Sequence, residues 1–374
     1  RMKVTDGTYA SLTLDYVVTA GSDASINPGD KMLLFNPFEE GTGWTWGNSA
    51  NPIISNDATF DAAYPACGPI FQHSDGHYVM LVSGKSAGGV YSIGAYQATA
   101  VAFPDTWTVM NSGNAYFSAG GAGWRQNSVI GGNGIFYLDD EDRYIMYITG
   151  QNSSSRASIG WVKFDEDLGN IEYASAAVMS IAGTVDNRYP SVVKYGGKWR
   201  MSYAYDPDYS DGLLTDWISR EAFASRPEGL FTYDHDILTS STNDGLWYSN
   251  HMTDTMLFVW RGKLYALYHA VSRYKASGNK NNNELGLLYW DERLATPAWV
   301  VDPRSPIFFN PMYGSASHWN APYSVATSNW YIDHYGARET LWIKNNRLYL
   351  FIGANNGADT YKVSYQYIDL YEVD

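Results

Sequence analysis

One phrase recurs five times along this chain, and it limits the fold more than any other feature. A short polar turn is followed by an alternating strand, rich in Tyr, Met and other large apolar residues, that ends in a small side chain. It reads Asp75-Gly76-His77-Tyr78-Val79-Met80-Leu81-Val82-Ser83, then Asp142-Arg143-Tyr144-Ile145-Met146-Tyr147-Ile148-Thr149-Gly150. It returns at Gly196-Gly197-Lys198-Trp199-Arg200-Met201-Ser202-Tyr203, at Gly262-Lys263-Leu264-Tyr265-Ala266-Leu267-Tyr268-His269 and at Asn346-Arg347-Leu348-Tyr349-Leu350-Phe351-Ile352-Gly353. The copies lie roughly 55 to 85 residues apart, the period of repeated β-units rather than of one continuous sheet. Five such units predict a five-bladed β-propeller, in which one loop from each blade reaches the mouth of a single central pocket. No segment carries a sustained helical period, so the expected class is all-β.

Length alone, 374 residues, suggests two domains, but no Pro/Ser/Gly-rich linker separates the repeats and one large domain is the better reading. The 31 Tyr and 14 Trp suit sheets packed face to face, where rings fill wide gaps. The same rings suit stacking on the apolar face of a sugar. A net charge of −14 leaves no basic stripe to release counterions, which argues against a nucleic-acid partner. Spare carboxylates allow a structural Ca²⁺, although no cofactor is required. The lone Cys67 excludes an intrachain disulfide framework and a Cys-based zinc site. No run of 18 apolar residues is present, so membrane insertion through a helix is not expected. Arg1-Met2-Lys3 lacks the apolar core of a signal peptide, which fits a mature product or an excised domain. Nothing in the sequence fixes the oligomeric state.

Residues 1–60 read as an N-terminal β segment leading into the propeller of residues 61–374. Leu12–Val18 alternates as a half-buried strand, and Lys31-Met32-Leu33-Leu34-Phe35 reads as a buried one. This segment is expected to dock on the ring and supply a closing strand to the last blade, removing an exposed edge. A small attachment module is the alternative. The blades run from about Ala63 to Ser118, Arg125 to Ser180, Val185 to Leu238, Ser249 to Phe309, and His318 to the terminus. Asp139-Asp140-Glu141-Asp142 reads as a solvated acidic turn. The stretch from Asp206 to Gly212 alternates oxygen ligands but lacks a bidentate Glu at calcium-loop distance, so no metal ligands are assigned. Serine-hydrolase and zinc-protease motifs are absent.

The repeated phrase, together with Ser92-Ile93-Gly94-Ala95, Ser158-Ile159-Gly160-Trp161 and Leu285-Gly286-Leu287-Leu288, resembles the five-bladed propeller glycosidases. These are glycoside hydrolase family 43, its fructan-cleaving cousins and the neoagarooligosaccharide hydrolases. Their first strands read carboxylate-x-Pro before Gly-Lys-Tyr-Tyr-Leu, and their second strands carry Ile-Gly-x-Ala. The resemblance covers about residues 63–374. It implies cleavage of glycosidic bonds by two carboxyl groups about 5–10 Å apart. The family places these carboxyls about nine residues before each polar turn. Counting back lands on Cys67-Gly68-Pro69 in blade one, a departure with no carboxylate, although Asp61 lies a few residues upstream. It then lands on Asn133-Gly134, on Arg188-Tyr189-Pro190 with Asp186 just before, on Thr253-Asp254-Thr255 after His251, and on Ala337-Arg338-Glu339 after Asp333-His334.

Asp186, Asp254 and Glu339 are therefore the expected catalytic residues. Arg188 and Arg338 are expected to bind an anionic or hydroxyl-rich sugar, since a guanidinium clamps such groups with a rigid fork. The neoagarooligosaccharide hydrolases, in which a histidine acts as acid, bring His251 and His334 into the substrate site. Trp247 and Trp319, just before first-strand positions, are the expected sugar platforms. Each has a structural alternative: a turn cap for Asp186, a solvated loop carboxylate for Asp254, an ion pair for Arg188, a satisfied structural histidine for His334. The expected function is a glycan-active propeller, with a glycoside hydrolase favoured and one carboxyl held protonated as the acid. A non-catalytic glycan-binding module, a lectin or a phage receptor-binding domain, is the alternative that the missing blade-one carboxylate suits. The expected partner is an oligo- or polysaccharide, and the expected location is extracellular or secreted, virion-associated under the second reading.

Overall fold

The computed structural model describes residues 3–4, 12–13, 32–34, 45–46, 53–55, 58–62, 64–121, 123–179, 185–207, 218–238, 251–272, 282–302, 305, 308–309, 331–332, 340–355 and 361–373. These are all-β apart from one 3-10 turn at Asn111–Gly113, and no helix among them is long and apolar enough to cross a membrane.

The strands group into antiparallel meanders, each built around one copy of the recurring phrase. In the first, Tyr78–Lys85 pairs with Tyr91–Ala98 on one side and with Tyr64–Ala66 and Ile70–Gln72 on the other. The second runs Ser128–Leu138, Arg143–Gln151, Ala157–Phe164, and the third Asp186–Tyr195, Lys198–Asp206, Ile218–Ala224, Thr232–Leu238. The fourth comprises His251–Trp260, Lys263–Ser272, Asn282–Asp291 and Ala298–Val301. The fifth comprises Tyr331–Ile332 and Thr340–Lys344, Arg347–Asn355 and Tyr361–Asp369. The phrase is thus the second strand of each meander, not part of the first. The residues before the polar turn form a leading strand of their own, and the Ile-Gly phrase falls on the third.

Why the phrase carries apolar residues at consecutive positions is clear from its two faces. Side chains alternate across a strand, and both sides of this one are covered. Val79 and Leu81 enter a core shared with the second and third meanders, whereas Tyr78, Met80 and Val82 enter one shared with Phe351, Val363 and Tyr365 of the fifth. In the fourth meander, Leu264, Ala266 and Tyr268 pack with Val193 of the third, and Tyr265 and Leu267 with Leu348 and Leu350 of the fifth. Each large side chain so buried contributes about 1.5–3 kcal/mol. The fifth meander therefore packs back on the first. A bridge between Ile54 and Val363, and a 2.7 Å hydrogen bond from Lys344 Nζ to Tyr78 OH, reinforce that junction.

The small residue that ends the phrase has a matching task. Ser83 Oγ accepts the Gly131 N–H of the second meander at 2.8 Å, and Thr149 Oγ1 accepts the Tyr189 N–H of the third at 2.9 Å. In the leading strand of the third, Ser191 Oγ likewise accepts the Leu257 N–H of the fourth at 2.9 Å. Hydroxyls here satisfy buried backbone donors that no strand partner reaches.

The glycine of the Ile-Gly phrase makes room for a ring. A Cβ on Gly94 would stand 2.2 Å from Phe60, and one on Gly160 would stand 2.3 Å from Trp124. Phe60 precedes Tyr64, and Trp124 precedes Ser128, by the same spacing. Of the N-terminal segment, Thr45–Trp46 adds an outer strand to Tyr361–Asp369, and Met32–Leu34 pairs with Tyr371–Val373.

Candidate functional site

In four of the meanders the leading strand is interrupted at the same register. In the second meander the ladder slips between Gly131 and Ile135, in the third between Arg188 and Ser191, and in the fourth between Met252 and Thr255. In the first, pairing stops at Ala66 and resumes at Ile70; in the fifth, the residues between Ile332 and Thr340 lie outside the described residues. Such bulges bend a strand and re-aim its side chains. They coincide with the positions that the count back from each polar turn singles out. Cys67, Gly131, Gly132, Asn133, Tyr189, Pro190 and Thr255, from four meanders, line one small hollow.

Close approach of the strands explains the composition of this layer. A Cβ on Gly132 would lie 2.2 Å from the Pro190 carbonyl oxygen, and Gly134, at φ +108°, has the Val192 oxygen 2.6 Å from where a Cβ would sit. Tyr189 holds φ +54° without being a glycine. A bulky residue in that region is uncommon and marks local strain, of a kind that clusters at functional sites. The Thr149 hydroxyl, bonded to its N–H, holds it there.

Next to Tyr189 stands the best-defined charged group of the layer. Asp186 is fully buried, and the Arg188 side chain is 14% exposed. Both lie on one face of the strand, being two residues apart. Arg188 Nε and Nη2 donate to Asp186 Oδ2 at 3.0 and 2.5 Å, while Asp186 Oδ1 accepts the Ala157 N–H of the second meander at 3.0 Å. The carboxylate thus orients the guanidinium and ties it to the neighbouring meander.

The remaining expected residues fall as follows. Asp254 lies within the interruption of the fourth leading strand, beside the hollow-lining Thr255, and His251 opens that strand opposite Val271. His334, Arg338 and Glu339 belong to the interval between Ile332 and Thr340, and with Trp247 and Trp319 they lie outside the described residues. Trp247 stands four residues before His251, the same spacing as Trp124 before Ser128. Asp61, upstream of the blade-one gap, is fully buried; it accepts the Tyr96 hydroxyl at 2.7 Å and the Ala58 N–H at 3.0 Å. Of the acidic turn, Glu141 accepts from Lys163 Nζ at 2.6 and 2.7 Å, so it is not merely solvated. Of the Asp206–Gly212 stretch, Asp206 is buried opposite Asp186 in the ladder, and residues 208–212 lie outside the described residues.

Sequence reasoning passed over Tyr189 and Cys67 as lining residues. Their signal was their place in the count, not their chemistry.

No family profile and no curated protein matches this chain by sequence. Solved structures do match it by fold, and the similarity to propeller glycosidases expected from the sequence recurs there. An α-L-arabinofuranosidase from Lactobacillus brevis aligns with a TM-score of 0.55 at 13% identity, over 84% of this chain and 91% of that one. A β-1,2-mannobiose phosphorylase from Listeria innocua aligns with a TM-score of 0.58 at 11% identity, over 87% of this chain and 96% of that one. A third structure is described with the GH130 family of mannoside phosphorylases, which contains hydrolases that target β-1,2 mannosidic linkages in Candida mannan. It aligns with a TM-score of 0.55 at 12% identity, over 86% of this chain and 93% of that one. At such identities the shared property is the fold.

Proposed function

We propose that the protein is a five-bladed β-propeller that acts on an oligo- or polysaccharide, as a glycoside hydrolase. The ring is supported by the packing of each meander on its sequence neighbours and of the fifth on the first. The observation that carries the reading is the convergence of interrupted leading strands on one hollow, where residues distant in the chain meet. The fold neighbours named as glycosidases and glycoside phosphorylases agree with it.

In this reading Asp254, in the fourth interruption, is the general acid, and Glu339, in the interval of the fifth, is the base or nucleophile. The two need a separation of about 5–10 Å across the scissile bond. Arg188, held by Asp186, binds sugar hydroxyls or a sugar carboxylate, and Arg338, His251 and His334 contribute further polar contacts. Trp319 is the sugar platform, with Trp247 a second. The scheme needs only carboxyl groups and water.

The test is release of reducing sugar from a polysaccharide panel, with and without inorganic phosphate, repeated for Asp254→Asn and Glu339→Gln. Turnover lost in both variants with binding retained is expected. Binding without turnover on every substrate overturns the hydrolase. A non-catalytic glycan-binding module is then the reading, and one observation already favours it: Cys67 lines the hollow at the register where the family carries its first carboxylate, and Asp61 is turned inward.

A further inference from the structure

The polar turn of the first meander carries a group of side chains that the glycan site does not use. His73 N–H donates to the His77 carbonyl at 2.9 Å, closing a hairpin over Ser74, Asp75 and Gly76, with Gly76 at φ +94°. A glycine is needed at such a position in a short hairpin loop. Closure puts His73 and His77 on one side of the hairpin, and their rings stack with centroids 4.4 Å apart and an interplanar angle of 20°. Asp75 sits between them. Its Oδ1 is 3.2 Å from His73 Nδ1 and in closer contact with His77 Nδ1. Donor atoms of the three residues all lie within 4.8 Å of one another.

We propose that His73, Asp75 and His77 form a binding site for a divalent transition-metal ion of the zinc class. Imidazole nitrogens with one carboxylate oxygen suit that class, whereas calcium and magnesium take oxygen ligands. Tetrahedral bonds of about 2.0–2.1 Å place neighbouring ligand atoms about 3.4 Å apart, and Asp75 Oδ1 stands 3.2 Å from His73 Nδ1. The metal takes the place of the hydrogen bond between His77 Nδ1 and Asp75 Oδ1.

A second, independent observation comes from the next meander. His73 Nε2 faces Asp167 Oδ1 at 3.4 Å, an arrangement that keeps the proton on Nε2 and leaves Nδ1 bare towards the cluster. Metal-binding histidines are held in this way by an outer carboxylate. In the same direction, His73 Nδ1 already acts as an acceptor, taking the Asp75 N–H at 3.2 Å. Glu166 fixes the turn, accepting the Ser74 N–H at 3.1 Å and the Ser74 hydroxyl at 2.8 Å. Among the described residues, the ion-pair partners of Asp75, Glu166 and Asp167 are His73 and His77 alone. Three carboxylates therefore meet two imidazoles, an excess of acidic groups that a divalent ion offsets. Bound there, the ion fastens the first meander to the turn of the second.

The experiment is calorimetric titration of the tag-free protein with zinc chloride, with calcium and magnesium chlorides as controls, followed by thermal unfolding with and without zinc. One zinc per chain is expected, with a raised unfolding midpoint and no calcium or magnesium bound at this cluster. In His73→Ala/His77→Ala the affinity should fall at least tenfold. Asp167→Asn leaves the hairpin intact and should weaken binding by roughly tenfold to a hundredfold. It decides the matter if the double variant does not fold. Zinc binding unchanged in Asp167→Asn and in the double variant, zinc binding lost only in His251→Ala, or no stoichiometric binding at all overturns the proposal.

Discussion

Replacing Asp186 by asparagine removes one negative charge and almost no volume, and so isolates what the carboxylate does for Arg188. An asparagine can keep the Ala157 N–H on its oxygen, yet it offers Arg188 a neutral partner in place of the Oδ2 that now accepts two bonds. Breaking a buried ion pair from one side costs about 3–5 kcal/mol, because the other charge is left stranded. Arg188 keeps 14% of its side chain exposed. Water recovers part of the loss, so about 2–3 kcal/mol is expected. Asp186→Asn/Arg188→Met removes the pair as a unit, and the double variant should be less destabilised than the sum of the singles by about 1–2 kcal/mol. Urea unfolding of the four proteins, followed by tryptophan fluorescence at pH 7, measures that cycle. On a glycan the protein binds, either single change should weaken affinity, and the two together should do little more than one. A cost for Asp186→Asn below about 0.5 kcal/mol with no coupling refutes the reasoning. So does turnover abolished in Asp186→Asn with affinity and stability intact, for the carboxylate would then act on substrate directly.

Gly160→Ala places a methyl 2.3 Å from the Trp124 ring. Overpacking of this kind costs about 1–3 kcal/mol, and the upper end is expected in urea unfolding because the ring is buried and its Nε1–H is bonded to the Ala174 carbonyl. Lys163→Met should change the acid sensitivity of the fold. Burial pushes the Glu228 carboxyl up, but the hydrogen bond and charge of Lys163, 2.7 Å away, outweigh it and hold the carboxyl below its ordinary value. A depressed carboxyl contributes stability above its unfolded value, about pH 4.3, and loses it as the pH falls through the folded value. The gap in unfolding midpoint between wild type and Lys163→Met is therefore expected to be largest at pH 7 and to narrow towards pH 3. A gap that widens on acidification contradicts the assignment.

Much of the fold was legible in the chain because the informative signals are local. The phrase around Val79-Met80-Leu81 is apolar at consecutive positions, and a strand with both faces covered must be. Its small terminal residues, Ser83 and Thr149, were visible as a pattern, but their hydroxyls find Gly131 and Tyr189 only once meanders are adjacent. The leading strands escaped notice for an opposite reason. Gly131–Gly134 and Tyr189-Pro190 break the period-two alternation by which strands are recognised, and the break is the feature that shapes the hollow. Nothing local marks Trp124 as a core residue, yet its ring lies against Gly150 and Gly160.

The candidate site divides along the same line. The register that placed Arg188, Asp254 and Cys67 in one layer could be counted from the polar turns, because strand length and hairpin geometry set it along a single stretch of chain. The part Asp186 plays could not be counted. Its oxygens are engaged by Arg188 and by Ala157 of another meander, and the His73 cluster is completed by Asp167, 94 residues away. Alternation and turns are written residue by residue, so sequence alone settled the all-β class and the repeat. Whether a carboxylate meets a cation, a backbone amide or open space depends on what a distant strand brings beside it, and that was decided only when the sheets packed.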